Sequence, residues 1–437
     1  MPLVKSLDRD ILRLAVPALG SLIAEPLFLL TDTALVGHLG ENALAGLGIA
    51  SVILQTTIGL LIFLAYATTP AVARRLGAGD TSGAIRAGID GLWLAVFIGI
   101  LLVAGGYLAV DPLVAAFGAT DAVNQGATEY LTVSLWGLPA MLIVLAATGL
   151  LRGLQDTRTP LVVATVGFAA NAALNALFIY GLGWGLAGSA AGTVVAQWGM
   201  AAVYLVIAVR AARVHQVGLR PGLAGVRGAA TSGGWLLVRT LSLRIAMVAT
   251  VVVATSLGVQ DLATMQIALT VFSTLAFALD ALAIAGQAMI GHGLGASDVP
   301  RVRAVTRRLI QLGLLAGAAL GLLVIAVAPV LGAVFTTDPG ILAALPLLLV
   351  LMGVGIPLAG YVFVLDGVLI GAGDARYLAW TGLINIVMYL PMLWAVEVTD
   401  AGLTWLWVAF GFGYIGVRAL TLGLRARGTR WIVAGHP

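Results

Sequence analysis

Two carboxylates, Glu25 and Asp32, sit seven residues apart in the first long apolar stretch of the sequence. That spacing puts them on one face of a helix. An acid placed in hydrocarbon costs at least about 2.5–3.5 kcal/mol on insertion scales, so it marks a functional candidate by default. The chemistry on offer is the exchange of a proton or a small cation, because protonation would neutralise Asp32 inside the membrane. Pro17 and Pro26 lie in the same stretch. Each removes an i→i−4 hydrogen bond and can kink or hinge the helix. A bendable helix bearing a buried carboxylate is a plausible gate. The competing reading is a carboxylate held permanently by hydroxyl and amide donors as a packing element.

Further along, Asn171 and Asn175 are one helical turn apart. Two amides on one face could bond Asp32 or line a water-filled cavity, or they could serve as interhelical glue, worth about 0.6 kcal/mol per bond. The second half of the chain carries Arg239, Arg244, Asp280 and Asp366 within apolar stretches. Two positive and two negative charges at similar depth suggest a paired, structural network, because a buried charge is stable only with its partner. Nothing here resembles an enzyme's centre. The four histidines have no ligand-like spacing and cysteine is absent, so neither a metal site nor a nucleophile–base pair is expected. No G-x-x-x-x-G-K-[ST] loop occurs, which leaves an ion gradient or a partner as the energy source. No enzymatic cofactor is implied; the coupling ion would be H⁺ or Na⁺.

The elements that must position these residues follow from composition. Of 437 residues, 61% are hydrophobic and 10% charged, against about 25% charged in soluble domains. That excludes a soluble enzyme, a nucleic-acid-binding domain and a disordered chain. Apolar stretches fall at about 14–37, 44–70, 87–110, 128–151, 160–181, 187–210, 232–256, 262–290, 308–330, 342–370, 377–396 and 402–424. At about 20 residues per crossing, these are twelve membrane spans. If both termini are cytoplasmic, the inner segments hold Arg74, Arg75, Arg152, Arg213, Arg303, Arg376 and Arg427, while the outer loops hold only acids such as Asp111, Asp121, Asp338 and Asp400. This asymmetry is the positive-inside pattern and points to the cell inner (plasma) membrane.

An internal repeat organises the spans. Leu39-Gly40 with Leu44-Ala45 recurs as Leu257-Gly258 with Leu262-Ala263, and Leu76-Gly77-Ala78 with Asp80 recurs as Leu294-Gly295-Ala296 with Asp298. Gly137 and Pro139 match Gly355 and Pro357, and Gly153 and Asp156 match Gly371 and Asp374, all at an offset of 218. The expected fold is therefore an all-α membrane protein of two parallel six-helix repeats around a central cleft. Its expected division is an N-terminal lobe at 1–210, a cytoplasmic linker at 211–228 and a C-terminal lobe at 229–437. The offset also places Arg244 at the depth of Glu25, so a Glu25–Arg244 pair across the cleft is expected in one state.

Taken together, the residues resemble the multidrug and toxic compound extrusion (MATE) family, in its DinF-type branch. The resemblance rests on Asp32-Thr33-Ala34-Leu35-Val36-Gly37-His38-Leu39-Gly40, the Leu151-Arg152-Gly153 loop with Asp156-Thr157, Leu279-Asp280-Ala281-Leu282-Ala283, and Leu365-Asp366-Gly367-Val368-Leu369-Ile370-Gly371-Ala372. It implies an antiporter that exports amphipathic, often cationic compounds in exchange for H⁺ or Na⁺. It also implies that Asp32 is the coupling residue, that Pro17 is associated with helix bending, and that Tyr130, Asn171, Asn175 and Thr193 form a polar network with Asp32. Some members carry an acid where this chain has Asn175, so the acid pair is reduced to Asp32; H⁺ is the favoured ion. The expected partners are a small amphipathic molecule and membrane lipid, with no nucleic acid, and the expected state is a monomer. A lipid-linked precursor flippase is the alternative, but the first lobe lacks the intramembrane bases that a pyrophosphate would call for.

Overall fold

The computed structural model describes residues 2–435, apart from the side chains of residues 2–5 and of Glu25. It is all-helical. The first six membrane-capable helices are α1 (Ser6–Gly37), α2 (Glu41–Gly77), α3 (Thr81–Ala115), α4 (Asp121–Gly153), α5 (Arg158–Gly181) and α6 (Gly185–Val214). The second six are α7 (Leu223–Leu257), α8 (Val259–Gly295), α9 (Val299–Phe335), α10 (Pro339–Gly371), α11 (Ala375–Val398) and α12 (Gly402–Arg427). A helix satisfies its backbone groups internally, which is what lipid demands. Helix α1 runs unbroken through Pro17 and Pro26, so neither proline interrupts it in this conformation. In α4, Pro139 cannot donate to the preceding turn, and the backbone tightens into a 3₁₀ turn over Leu135–Gly137 just before it.

The repeat is written into the backbone. Gly40 and Gly258, 218 residues apart, open α2 and α8 with φ of 114° and 124°, a region that L side chains rarely adopt. Asp80 caps α3 by accepting the Gly83 N–H at 2.7 Å, and Asp298 caps α9 by accepting the Arg301 N–H at 3.0 Å. Side chains at these caps satisfy helix N–H groups that would otherwise lack partners.

Small residues set the packing in the same way in both halves. A Cβ on Gly149 or Gly153 of α4 would lie 2.7 or 2.8 Å from the carbonyl oxygens of Ala65 or Thr69 on α2. Their counterparts Gly367 and Gly371 on α10 meet the carbonyls of Ala283 and Gln287 on α8 at 2.5 and 2.6 Å. Glycines four residues apart allow backbones to touch, which compensates for the missing hydrophobic drive between helices in lipid.

The chain forms two compact units, Gly20–Gly233 and Met1–Leu19 with Gly234–Pro437. The division falls inside α1 and α7, away from the boundaries drawn at 210/211 and 228/229. The segment after α6 lies against α3, where Trp93 Nε1 donates to the Leu219 carbonyl at 2.8 Å, so it packs as part of the first unit instead of hanging free.

Candidate functional site

The unit Gly20–Gly233 encloses a cavity of about 90 Å³. Phe28, Leu29 and Asp32 reach it from one face of α1, and Ser51, Leu54, Gln55 and Ile58 from α2. Tyr130 and Met141 come from α4, Phe168 and Asn171 from α5, and Thr193, Gln197 and Met200 from α6. Phe28 and Phe168 stack with centroids 5.2 Å apart. The volume suits a few water-sized groups and falls short of the roughly 300–1,000 Å³ of drug pockets. A larger substrate therefore needs these aromatic and methionine side chains to part.

Asp32 lines this cavity and is 5% exposed. Its Oδ1 accepts from Ser189 Oγ at 2.6 Å and from Asn175 Nδ2 at 2.8 Å, while Oδ2 accepts from Tyr130 Oη at 3.4 Å. Alongside, Asn171 Nδ2 donates to Thr193 Oγ1 at 3.0 Å. Each of these partners of the carboxylate is a neutral hydroxyl or amide. Such donors steady the anion without cancelling its charge, so gain or loss of a proton changes the net charge of the site outright. The amide oxygens of Asn171 and Asn175 are buried with no partner among the described residues. Buried acceptors normally find partners, so these two oxygens leave acceptor capacity open at the site.

Local sequence explains the approach of α6. A Cβ at Gly192 would overlap the Asn175 amide oxygen, so only glycine lets α6 bring Ser189 and Thr193 this close to α5. At the far end of α5, Tyr180 Oη donates to the Leu35 carbonyl at 2.6 Å, tying the end of α1 to the same helix.

The structure thus brings together Asp32, Tyr130 and Asn175, with the Asn171–Thr193 pair beside them. Sequence reasoning missed Ser189, whose spacing of one turn from Thr193 was the available signal. Pro17 and Pro26 are half-buried on α1. The Glu25 side chain lies outside the described residues, and with it the expected pairing to Arg244.

The second cluster differs from its expectation. Arg239 on α7 forks onto Asp366 on α10, and Arg418 on α12 approaches the same carboxylate at 3.4 Å. All three are 7–8% exposed. Arg244 is exposed and forms no ion pair with a described residue. Five residues from Arg239, it points about 140° away around a helix of 3.6 residues per turn, so the two cannot share a face. Asp280 is half-buried. Arg418, which falls within the last apolar stretch, was not anticipated. Among the described residues no group of three or more histidines and carboxylates could hold a metal ion.

Among the described residues, twelve helices long and apolar enough to cross a membrane, with a buried acid facing a cavity in the first unit, are the architecture of a polytopic membrane protein. The family model MatE matches residues 17–177 and 236–394, one match in each half. "Protein DETOXIFICATION 44, chloroplastic" from Arabidopsis thaliana is 30% identical over 98% of this chain and 84% of its own length. "Probable multidrug resistance protein NorM" from Bradyrhizobium diazoefficiens is 28% identical over 96% of the chain and 93% of its length. Among solved structures, a MOP superfamily transporter from Pyrococcus furiosus superposes with a TM-score of 0.87 at 22% identity, covering 96% of this chain and 95% of its own. The chain belongs to the MatE family of multidrug and toxic compound extrusion transporters. Its members are transporters, not enzymes.

Proposed function

We propose that the protein is a secondary antiporter that exports amphipathic, often cationic compounds in exchange for H⁺, with Asp32 as the coupling residue. The observation that carries this reading is the buried Asp32 carboxylate, bound by neutral donors and facing the same cavity as Phe28, Phe168, Met141 and Met200. Aromatic faces and methionine sulfurs suit a greasy cation. The carboxylate suits either that cation or a proton, and holds only one charge at a time. Substrate and proton therefore compete. Protonation breaks the bonds that Asn175, Ser189 and Tyr130 donate, frees α1 to bend near Pro17 and Pro26, and expels the substrate. Tyr130, Asn171, Asn175 and Thr193 act as the network that senses the proton, and Glu25 takes part in gating.

Energetics favour a gradient-driven exchanger. One proton for one monovalent cation moves no net charge, so each pH unit supports about a tenfold concentration ratio. The protein works as a monomer in the inner (plasma) membrane. Both termini lie in the cytoplasm, in keeping with the arginines gathered on one side of the spans. A second reading, Na⁺ coupling, is favoured by the unpartnered Asn171 and Asn175 amide oxygens beside the carboxylate, since hard cations take oxygen ligands.

Ethidium efflux from proteoliposomes decides between them. Efflux that follows an imposed pH gradient and vanishes in Asp32→Asn supports the proton antiporter. Efflux that follows Na⁺ alone overturns it and makes Asp32 an ion ligand. If neither gradient drives efflux, the drug-exporter reading fails and a lipid-linked precursor becomes the substrate to test.

A further inference from the structure

Two contacts away from Asp32 are related by the repeat. On α3, Asp90 is 3% exposed, and its Oδ1 accepts the Gly222 N–H at 2.8 Å, one residue before α7 begins. Arg86 lies 3.5 Å from the same carboxylate and also donates to the Gly218 carbonyl at 2.8 Å. A Cβ on Gly225 would overlap the Asp90 carboxylate, so the start of α7 is shaped to this contact. The residue 218 positions after Asp90 is Arg308 on α9. It grips the start of α1, with Nε 2.5 Å from Asp8 Oδ1 and Nη2 2.7 Å from Asp8 Oδ2. Gln311, the counterpart of Trp93, accepts from Arg308 Nη1 at 2.9 Å.

The third helix of each repeat thus holds, from one register position, the start of the other repeat's first helix. The chemistry is inverted: a carboxylate on a backbone N–H in one case, a guanidinium on a carboxylate in the other. Two unlike interactions at one repeat position argue that the contact itself is what matters, not the particular pair. The compact units follow the same pattern, since residues 1–19 group with 234–437 and residues 214–233 with the first half.

We propose that Asp8, Asp90 and Arg308 are positioning residues for transport, holding the inner ends of α1 and α7 fixed throughout the cycle. This rests on Asp32 being the coupling site. Asp32 lies 24 residues beyond Asp8 along the same helix. A displacement set off at Asp32 bends α1 only if its far end is held; a loose end lets the helix slide and dissipates the signal.

The cysteine-free chain makes the test direct. Asp8→Cys with Arg308→Cys, joined by a short bis-thiosulfonate linker, fixes the contact; Asp8→Asn and Arg308→Gln weaken it; Asp8→Arg with Arg308→Asp reverses it. Hydrogen exchange of residues 6–18 reads the contact without reference to transport, and ethidium affinity and turnover read its consequence. We expect exchange in the weakened variants to rise about tenfold, with affinity within about twofold and turnover down about fivefold. The reversed pair should recover both readouts, and the linked protein should keep at least half of wild-type turnover. Asp90→Ala should raise exchange over residues 215–226. A linked protein that binds ethidium but turns over only after reduction would make the contact a gate that must open, and would overturn the proposal. So would wild-type turnover in variants whose exchange has risen. If wild-type protein shows no ion-driven efflux, the Asp32 reading fails by itself, while the exchange measurements still report whether the contact exists.

Discussion

The two halves build different interiors on the same helices. In the first, Asp32 lies among Asn175, Ser189 and Tyr130 beside a cavity. At an offset of 218, Asp32 becomes Thr250, Asn171 becomes Tyr389, Ser189 becomes Trp407 and Gly192 becomes Phe410. Thr250 and Tyr389 are hydrogen-bonded at 2.6 Å, and Trp407, Phe410, Tyr414 and Phe272 pack ring on ring around them. Large aromatics thus stand where the first half keeps small polar groups. The second half keeps its acid elsewhere: Asp366 replaces Thr148 and is held by Arg239 and Arg418, the latter in the place of cavity-lining Met200. The contrast teaches what a buried charge is for. An acid already matched by two guanidiniums is committed to holding helices together. An acid whose partners among the described residues are neutral dipoles is, on the proposed reading, the one free to exchange its proton.

Breaking each acid should separate the two roles. Asp32→Asn keeps the shape and most of the hydrogen bonding, so its thermal stability should stay close to wild type while gradient-driven efflux in proteoliposomes falls at least about a hundredfold, as expected when the charge-carrying step is lost. Asp366→Leu should do the reverse. Removing one partner of a buried ion pair costs about 3–5 kcal/mol, here because two guanidiniums lose their shared acid. Thermal unfolding in detergent should shift down by several degrees, and the fraction that still folds should transport at a rate close to wild type per molecule. If Asp366→Leu instead abolished transport without loss of stability, the division of labour between the halves would be wrong.

The fold was legible because its causes are compositional. Twelve apolar stretches, one-sided arginines and a 218-residue repeat are all readable without coordinates, and the capping pairs Asp80/Asp298 and Gly40/Gly258 bear the repeat out. The site was legible only where polarity stood out against an apolar background. Asp32, Asn171 and Asn175 did; Tyr130 and Thr193 came from family resemblance. Ser189 did not, because in Gly188-Ser189-Ala190-Ala191-Gly192 a serine reads as one more small packing residue. Arg418 was hidden by its nearness to Arg425 and Arg427, which resemble interfacial anchors. Arg244 was grouped with Arg239 by depth alone, and depth says nothing about direction around a helix.

A smaller effect should come from the missed donor. Ser189→Ala removes a 2.6 Å bond to the Asp32 carboxylate and leaves a void of one oxygen. Hydrogen bonds to charged groups contribute about 1.5–3 kcal/mol, but Asn175 and Tyr130 remain on the same carboxylate. Turnover should fall about tenfold, well short of the loss in Asp32→Asn. A silent Ser189→Ala in the efflux assay would mean that the serine is a packing residue after all.

The mirror substitution should be the mildest. Thr250→Val is nearly the same shape and removes only the hydroxyl that meets Tyr389. Thr250 also returns a bond to the Ala246 carbonyl of its own helix at 2.8 Å, so that carbonyl keeps its helical partner when the hydroxyl goes. What is lost is one neutral hydrogen bond, and because the phenol of Tyr389 is left buried and short of a partner the cost is about 1–3 kcal/mol. A drop of a degree or two in thermal unfolding is expected, with efflux unchanged. Equal injury to transport by Thr250→Val and Ser189→Ala would mean that the second half also takes part in ion coupling, and the comparison would have to be redrawn with Tyr389 as an active member of the cycle.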